Sequence, residues 1–260
     1  MTDVCFLVPA YNPDRAAMDD TLRSIAVQGF ACRTLIVDDG SREPVVVADR
    51  PGVEVLRVEP NGGITNALRA GVEHILADPD IRYVARLDIG DFNRPQRIEQ
   101  QRAFMEDHPD VDLLGGRSDV TDMTGQSLFR YGVSDPVALA RSVYRATPFM
   151  HSTFFIRCDA LRRLGNYDAD FVMAQDYEMA LRYHRMGVLR CLDDIVIDYV
   201  RDPAGLSLQR RKTSLRMRIK AQWTHRQPLN PHWVAGMVRS MLLYLMPADL
   251  ATWLAKRAAS

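Results

Sequence analysis

A chain of 260 residues with 47% hydrophobic and 25% charged content is long enough to bury a full core, and it reads as one α/β domain with a short appendage. Four scattered cysteines, Cys5, Cys32, Cys158 and Cys191, form no C-x-x-C pair, which argues against a disulfide framework or a cysteine metal site and for buried thiols of a cytosolic protein. Zero net charge excludes a uniformly basic nucleic-acid binder but hides an asymmetry: residues 203–260 hold ten basic side chains against Asp249 alone, a net +9 that leaves −9 on residues 1–202.

In chain order, Val4 to Val8 is a continuous apolar run closed by Pro9-Ala10-Tyr11-Asn12-Pro13, the pattern of a buried strand followed by a turn. Leu22, Ile25 and Ala26 recur at helical spacing, and Thr34 to Val37 is a second strand ending in Asp38-Asp39-Gly40-Ser41. Together they predict a strand, helix, strand unit with a parallel pair. Asp38 and Asp39 then lie where a carboxylate accepts hydrogen bonds from a base N–H or a ribose hydroxyl, or where a turn is capped. Val53 to Val58 predicts a third strand, followed by Asn61-Gly62-Gly63 and a helix through Ala67, Leu68, Gly71, Val72 and Ile75.

Tyr83-Val84-Ala85 runs into Arg86-Leu87-Asp88-Ile89-Gly90-Asp91. Right-handed crossovers put these strand ends on one edge of the sheet, where open α/β sheets take nucleotides. Asp88 and Asp91 are therefore candidates for diphosphate chemistry, and Arg86 for a bidentate contact to the diphosphate. An isolated D-x-x-D is also a common strand-to-loop turn, so the weight rests on the order of all the blocks. Pro95 is expected to open a helix with Ile98, Gln101 and Met105 on one side, stopped by His108-Pro109, and Val111 to Gly116 is the next strand. Phe149 to Arg157 alternates as a strand that contains His151, and a lone histidine is more often a satisfied core residue than a functional one. Asp176 lies just before a helix from Met179 to Tyr183, where the macrodipole keeps a carboxylate ionised.

In the tail, Leu215, Ile219 and Trp223 fall at i, i+4, i+8 on one apolar helix face, with Arg216, Arg218 and Lys220 off it. Met237 to Leu245 is apolar, but Arg239 interrupts it and Pro247 and Asp249 follow, so no span of about twenty uncharged residues is available to cross a bilayer. With Trp223, Trp233 and Trp253 interleaved, the basic tail suits an anionic membrane surface better than nucleic acid. The alternative is a helical pair packed on the body with a solvated basic face. The N-terminus runs straight into a strand, so no signal peptide is expected, and the expected location is cytoplasmic, peripheral on the inner face of the membrane.

Leu7 to Asn12, Val37 to Ser41, the Asn61 to Gly71 helix start, Leu87 to Asp91 and Gln175-Asp176-Tyr177-Glu178 resemble, in sequence and order, glycosyltransferase family 2. The resemblance covers residues 3–205. It implies a GT-A fold, with a Rossmann-like, mostly parallel central sheet flanked by helices, in a catalytic domain of residues 1–205 followed by a basic amphipathic extension, residues 206–260. It implies inverting transfer from a nucleoside-diphosphate sugar to an acceptor hydroxyl of a saccharide or lipid-linked saccharide, in bacterial surface polysaccharide assembly. Pro9, Ala10, Tyr11 and Asp38 would surround the nucleoside, with Asp88 on the ribose side and His151 near the diphosphate; Asn12, Asp39 and Arg86 are expected in the same nucleotide-sugar site. Asp176 would be the base, with Glu178 a weaker substitute pointing to another face. The family's usual Asp-x-Asp-Asp has a cation-binding carboxylate at the position of Gly90, so Mg²⁺ or Mn²⁺ on Asp91 and Asp88 is expected with that departure. A sugar nucleotidyltransferase would need a Gly-rich, Arg- and Lys-containing loop where Pro9-Ala10-Tyr11-Asn12 stands, and a noncatalytic nucleotide-sugar-binding subunit has only Gly90 in its favour.

Overall fold

Four short apolar segments, β1 (Val4–Ala10), β2 (Arg33–Asp38), β3 (Val53–Arg57) and β4 (Tyr83–Arg86), pair in parallel in the order β3-β2-β1-β4. Their side chains alternate with a period of two. Cys5 and Leu7 of β1 face α2 (Ile64–Leu76), while Val4, Phe6, Val8 and Ala10 face α1 (Arg15–Ala26). Burial on both faces is why these strands read as unbroken apolar runs. The computed structural model describes residues 2–47, 50–201 and 210–247. The expected boundary at 205/206, and Asp249, Trp253, Lys256 and Arg257, lie outside the described residues.

After β4 come β5 (Phe92–Asn93), α3 (Arg97–Asp107), β6 (Leu113–Thr121), β7 (Ser127–Tyr131), α4 (Pro136–Ser142), a 3₁₀ turn (His151–Thr153), β8 (Phe155–Arg157) and α5 (Cys158–Leu164). The chain continues through α6 (Gln175–Met186), β9 (Leu189–Val200), α7 (Arg211–Thr224) and α8 (Pro231–Leu245). The sheet extends from β4 through β8, β6 and β9 to β5, with β7 paired to β6. Its longest ladders are parallel, and β5, β7 and β8 run against them. Because β8 is antiparallel, the turn before it arrives at the edge where β1, β2 and β4 end.

Three local expectations change. The strand expected over Phe149 to Arg157 is confined to β8, because Thr153 N and Oγ1 both donate to Met150 O, at 3.0 and 2.7 Å, and fold His151–Thr153 into a turn. The helix expected at Pro95 begins at Arg97, after Gln96 takes φ +67°. Asp176 falls inside the first turn of α6, which begins after Ala174 at φ +57°.

The C-terminal helices form an antiparallel pair: Arg211 donates to Leu243 O and Met246 O, and Trp233 Nε1 to Gln222 O at 2.9 Å. Ala221, Trp233 and Met237 join the same core as Tyr144, Phe149 and Tyr177. The expected Leu215, Ile219, Trp223 face is not the packing seam throughout. Leu215 is buried, but Trp223 is 61% exposed, because Gln222 turns inward to donate to Tyr144 O at 2.7 Å. Among the described residues no helix is long and apolar enough to cross a membrane. All four cysteines are free thiols, three of them buried, and burial pushes each up to about 12.

Candidate active site

Loops from β1, β2, β4, the 3₁₀ turn and the start of α6 meet at one sheet edge. Asp38, fully buried, accepts from Ser41 N at 2.9 Å, Val45 N at 3.1 Å and Arg57 Nη1 at 2.5 Å. Burial alone would raise its pKa, but these hydrogen bonds outweigh it and hold the carboxyl below its ordinary value. Asp38 thus organises the loop after β2. Asp39 does the same for the loop before α2, accepting from Asn61 Nδ2 and Gly62 N, each at 2.9 Å. Asn12, at φ +44°, receives Arg42 N on Oδ1 and donates its own N–H to Ser41 Oγ. Of the expected nucleoside residues, Pro9 and Ala10 are backbone at the strand end, while Tyr11 stands 54% exposed over the edge.

Arg86 lies beneath that edge, fully buried, with Nη2 donating to Asp88 Oδ1 at 2.5 Å and with Nε and Nη1 lacking partners. From there it aims Asp88 and adds positive charge from below. Fully buried Arg97 supports it, donating to Arg86 O at 3.0 Å and to Asn93 Oδ1 at 2.6 Å. Ser152 joins the two aspartates of the motif, since its Oγ meets Asp88 Oδ2 at 3.1 Å, Asp88 N at 3.2 Å and Asp91 Oδ2. Burial and the Asp88 charge push Asp91 up to about 8. The Ser152 hydroxyl is the donor facing both carboxylates. Burial would also raise Asp88, but the Arg86 charge and the hydrogen bonds from Arg86 and Ser152 keep it below the usual carboxylate range.

His151 Nε2 lies 2.7 Å from Tyr167 OH, and burial followed by the Arg86 charge brings the imidazole down to about 4, so it is neutral at physiological pH. Thr147 bonds Asp176 and Ser152 bonds Asp88, so the segment that holds His151 links the two carboxylates. Asp176 Oδ2 accepts from Thr147 Oγ1 at 3.1 Å and is only partly buried. Glu178 points away, 2% exposed, clasped by Arg182 and by His225 Nε2 at 2.8 Å. Sequence reasoning passed over Ser152, Thr147, Tyr167 and Arg97. The one available signal was Ser152 and Thr153 beside His151, a polar pair in an otherwise apolar run.

The residues present do not fit a divalent cation. Gly90 has no ligand atom, Asp91 is buried on Ser152, and Asp88, with 38% of its side chain exposed, is committed to Arg86 and Ser152. Among the described residues no group of three acidic, histidine or cysteine side chains is placed to hold a metal. The expected Mg²⁺ or Mn²⁺ site on Asp91 and Asp88 is thus not assembled.

The profile of the family described as Glycosyl transferase family 2 matches residues 5–165. The Erwinia amylovora protein named Amylovoran biosynthesis glycosyltransferase AmsE is 28% identical over 189 residues, 70% of this chain and 69% of that protein. For three curated relatives the match spans 61%, 69% and 59% of their own length. Among solved structures, Staphylococcus aureus TarS 1-349 superposes with a TM-score of 0.64 at 16% identity, over 94% of this chain and 73% of that one. The mannosyltransferase PcManGT of Pyrobaculum calidifontis, solved with GDP-Man and Mn²⁺, gives 0.64 at 15% identity, over 99% and 79%. At such identities the structural likeness carries the fold, GT-A, and the profile match carries the membership: the chain belongs to glycosyl transferase family 2.

Proposed function

We propose that this protein is an inverting glycosyltransferase that moves a sugar from a nucleoside-diphosphate sugar to an acceptor hydroxyl, with a lipid-linked saccharide of bacterial surface polysaccharide synthesis as acceptor. The observation that carries this is the segment Thr147–Ser152, which bonds Asp176 at one end and Asp88 at the other and holds neutral His151 between them, at the sheet edge where such folds take nucleotides. Asp176 takes the proton of the acceptor hydroxyl as its oxygen bonds to the anomeric carbon. The bond from that carbon to the diphosphate oxygen breaks, and its electron pair leaves with the nucleoside diphosphate. One displacement inverts the centre and needs no protein nucleophile. Asp88, aimed by Arg86 and Ser152, faces the ribose side, and the Arg86 charge and His151 meet the charge that develops on the leaving group.

Complexes of the structural neighbours with UDP-GlcNAc and GDP-Man support the donor class, and the name of the Erwinia relative supports a biosynthetic context. Peripheral attachment at the inner face of the cytoplasmic membrane belongs to the same proposal, supported by the +9 tail and by exposed Val238, Met241, Leu242 and Leu245 on α8. Asp176→Asn tests the mechanism. Transfer should fall at least about 10²-fold, the scale of losing a general base, while the donor Kd stays within about twofold. Full activity in the variant removes Asp176 from the chemistry, and donor binding without any wild-type turnover leaves a nucleotide-sugar-binding protein.

A further inference from the structure

The segment that leads into the base is gripped by the C-terminal helices. Tyr144 O accepts from Gln222 Nε2 at 2.7 Å and from Tyr177 OH at 3.1 Å. One residue on, Arg145 O accepts from Arg218 Nη1 at 3.1 Å and from Arg239 Nη1 at 3.2 Å. Two further on, Thr147 donates to Asp176. Arg218 and Arg239 thus meet at the Arg145 carbonyl, and the charges of both, with that of Asp176, reach Tyr131, whose hydroxyl donates to Thr147 O.

Arg57, Arg94, Arg102 and Arg182 each face a carboxylate, whereas among the described residues Arg145, Arg218 and Arg239 form no ion pair. Arg218 also has a buried, unpartnered Nε and stacks 5.0 Å from the Tyr177 ring. Burial and the charges of Arg218 and Arg145 push the Arg239 guanidinium down, the mark of like charges gathered without an acid to balance them. Guanidinium groups are the usual partners of phosphate oxygens because their planar N–H pairs match them two at a time.

We infer that Arg145, Arg218 and Arg239 form an anion subsite that holds a phosphate or diphosphate group of the acceptor beside Asp176. This deepens the proposed transfer reaction and rests on it for the word acceptor. The charge that looked in sequence like a membrane patch is thereby partly assigned to the site itself. Exposed Val238, Met241 and Leu242 flank Arg239 on α8, which favours a phosphate carried on a lipid chain.

Calorimetry on the full-length protein tests this, with inorganic pyrophosphate and with geranyl diphosphate as probes, each titrated with and without saturating UDP or GDP to occupy the donor site. Pyrophosphate should still bind the nucleotide-saturated protein. Arg145→Gln should weaken that binding about tenfold, with the melting temperature unchanged, because the exposed Arg145 side chain holds nothing in the fold. Arg218→Gln with Arg239→Gln should weaken it further, and Arg239→Lys should restore part of the loss. Tighter binding of geranyl diphosphate identifies a lipid-borne group, and equal binding a free or saccharide phosphate. No binding to nucleotide-saturated wild type, or equal binding in Arg145→Gln and in a folded double variant, overturns the subsite. If neither nucleotide binds, the donor assignment fails, and the arginine variants still report on the subsite with pyrophosphate alone.

Discussion

At position 90 a glycine stands at φ +98°, where an added Cβ would meet no atom within 4 Å. Space therefore does not exclude a carboxylate there; the backbone conformation disfavours it, by about 1–3 kcal/mol for a non-glycine residue. Gly90→Asp should lose about that much stability in urea titrations and gain Mn²⁺ binding measurable by calorimetry. Wild-type transfer should survive EDTA, and its abolition by EDTA would show that a cation is held in a way these side chains do not explain. Asp91 makes a second prediction. Its folded pKa of about 8 lies above the ordinary carboxylate value, so the folded state binds a proton that the unfolded state has released. That contribution is complete below the ordinary carboxylate range and is lost as pH rises through about 8. Asp91→Asn, which keeps an oxygen to accept from Ser152 and does not titrate, should flatten the fall in unfolding free energy between pH 5 and 8. An unchanged slope would mean that Asp91 is ionised at neutral pH.

Among the elements, the contact between α8 and the segment after α4 is the tightest joint near the base. A Cβ on Gly236 would lie 2.1 Å from Tyr144 O, the carbonyl that already binds Gln222 and Tyr177. Gly236→Ala should cost about 1–3 kcal/mol as overpacking and should lower kcat as well, because the displaced segment carries Thr147 to Asp176. Stability lost with kcat intact would uncouple the joint from the site. Nothing local in the sequence announces this joint, since Gly236 and Gln222 read only as a small and a polar residue in two helices. β1, β2 and β4 were legible because doubly buried strands are continuous apolar runs with turn residues after them, and Asp38, Asp39 and Asp88 followed from that. β8 was legible only as the end of a longer alternating run, and the turn His151–Thr153 before it was not. Its antiparallel insertion brings Ser152 to Asp88, 64 residues away in sequence. The deep burial of Arg86 and the arginine subsite depend on such long-range packing, which pattern alone does not encode.

For the molecule as a whole, charge is divided along the chain, −9 on residues 1–202 and +9 beyond, and α7 and α8 of the positive part pack into the core of the negative part. Because α7 and α8 share that core, truncation would confound membrane attachment with unfolding, and surface variants are the proper test. Lys212, Arg216 and Arg226 are exposed, as are Leu242 and Leu245 on α8. Each cation near an anionic bilayer contributes about 1 kcal/mol, and salt screens the attraction over a Debye length of roughly 8 Å at physiological ionic strength. The protein should sediment with vesicles rich in anionic phospholipid, not with neutral ones, and lose that binding as salt rises. Replacing Lys212, Arg216 and Arg226 with Gln should weaken it about 10²-fold, the equivalent of three such contributions, without changing the melting temperature. Leu242→Ser with Leu245→Ser should weaken it at every salt concentration, because the apolar component is not screened. If the wild type ignores anionic vesicles at low salt, the apolar face of α8 serves a protein partner instead, and the basic residues that remain relevant are those around Arg145.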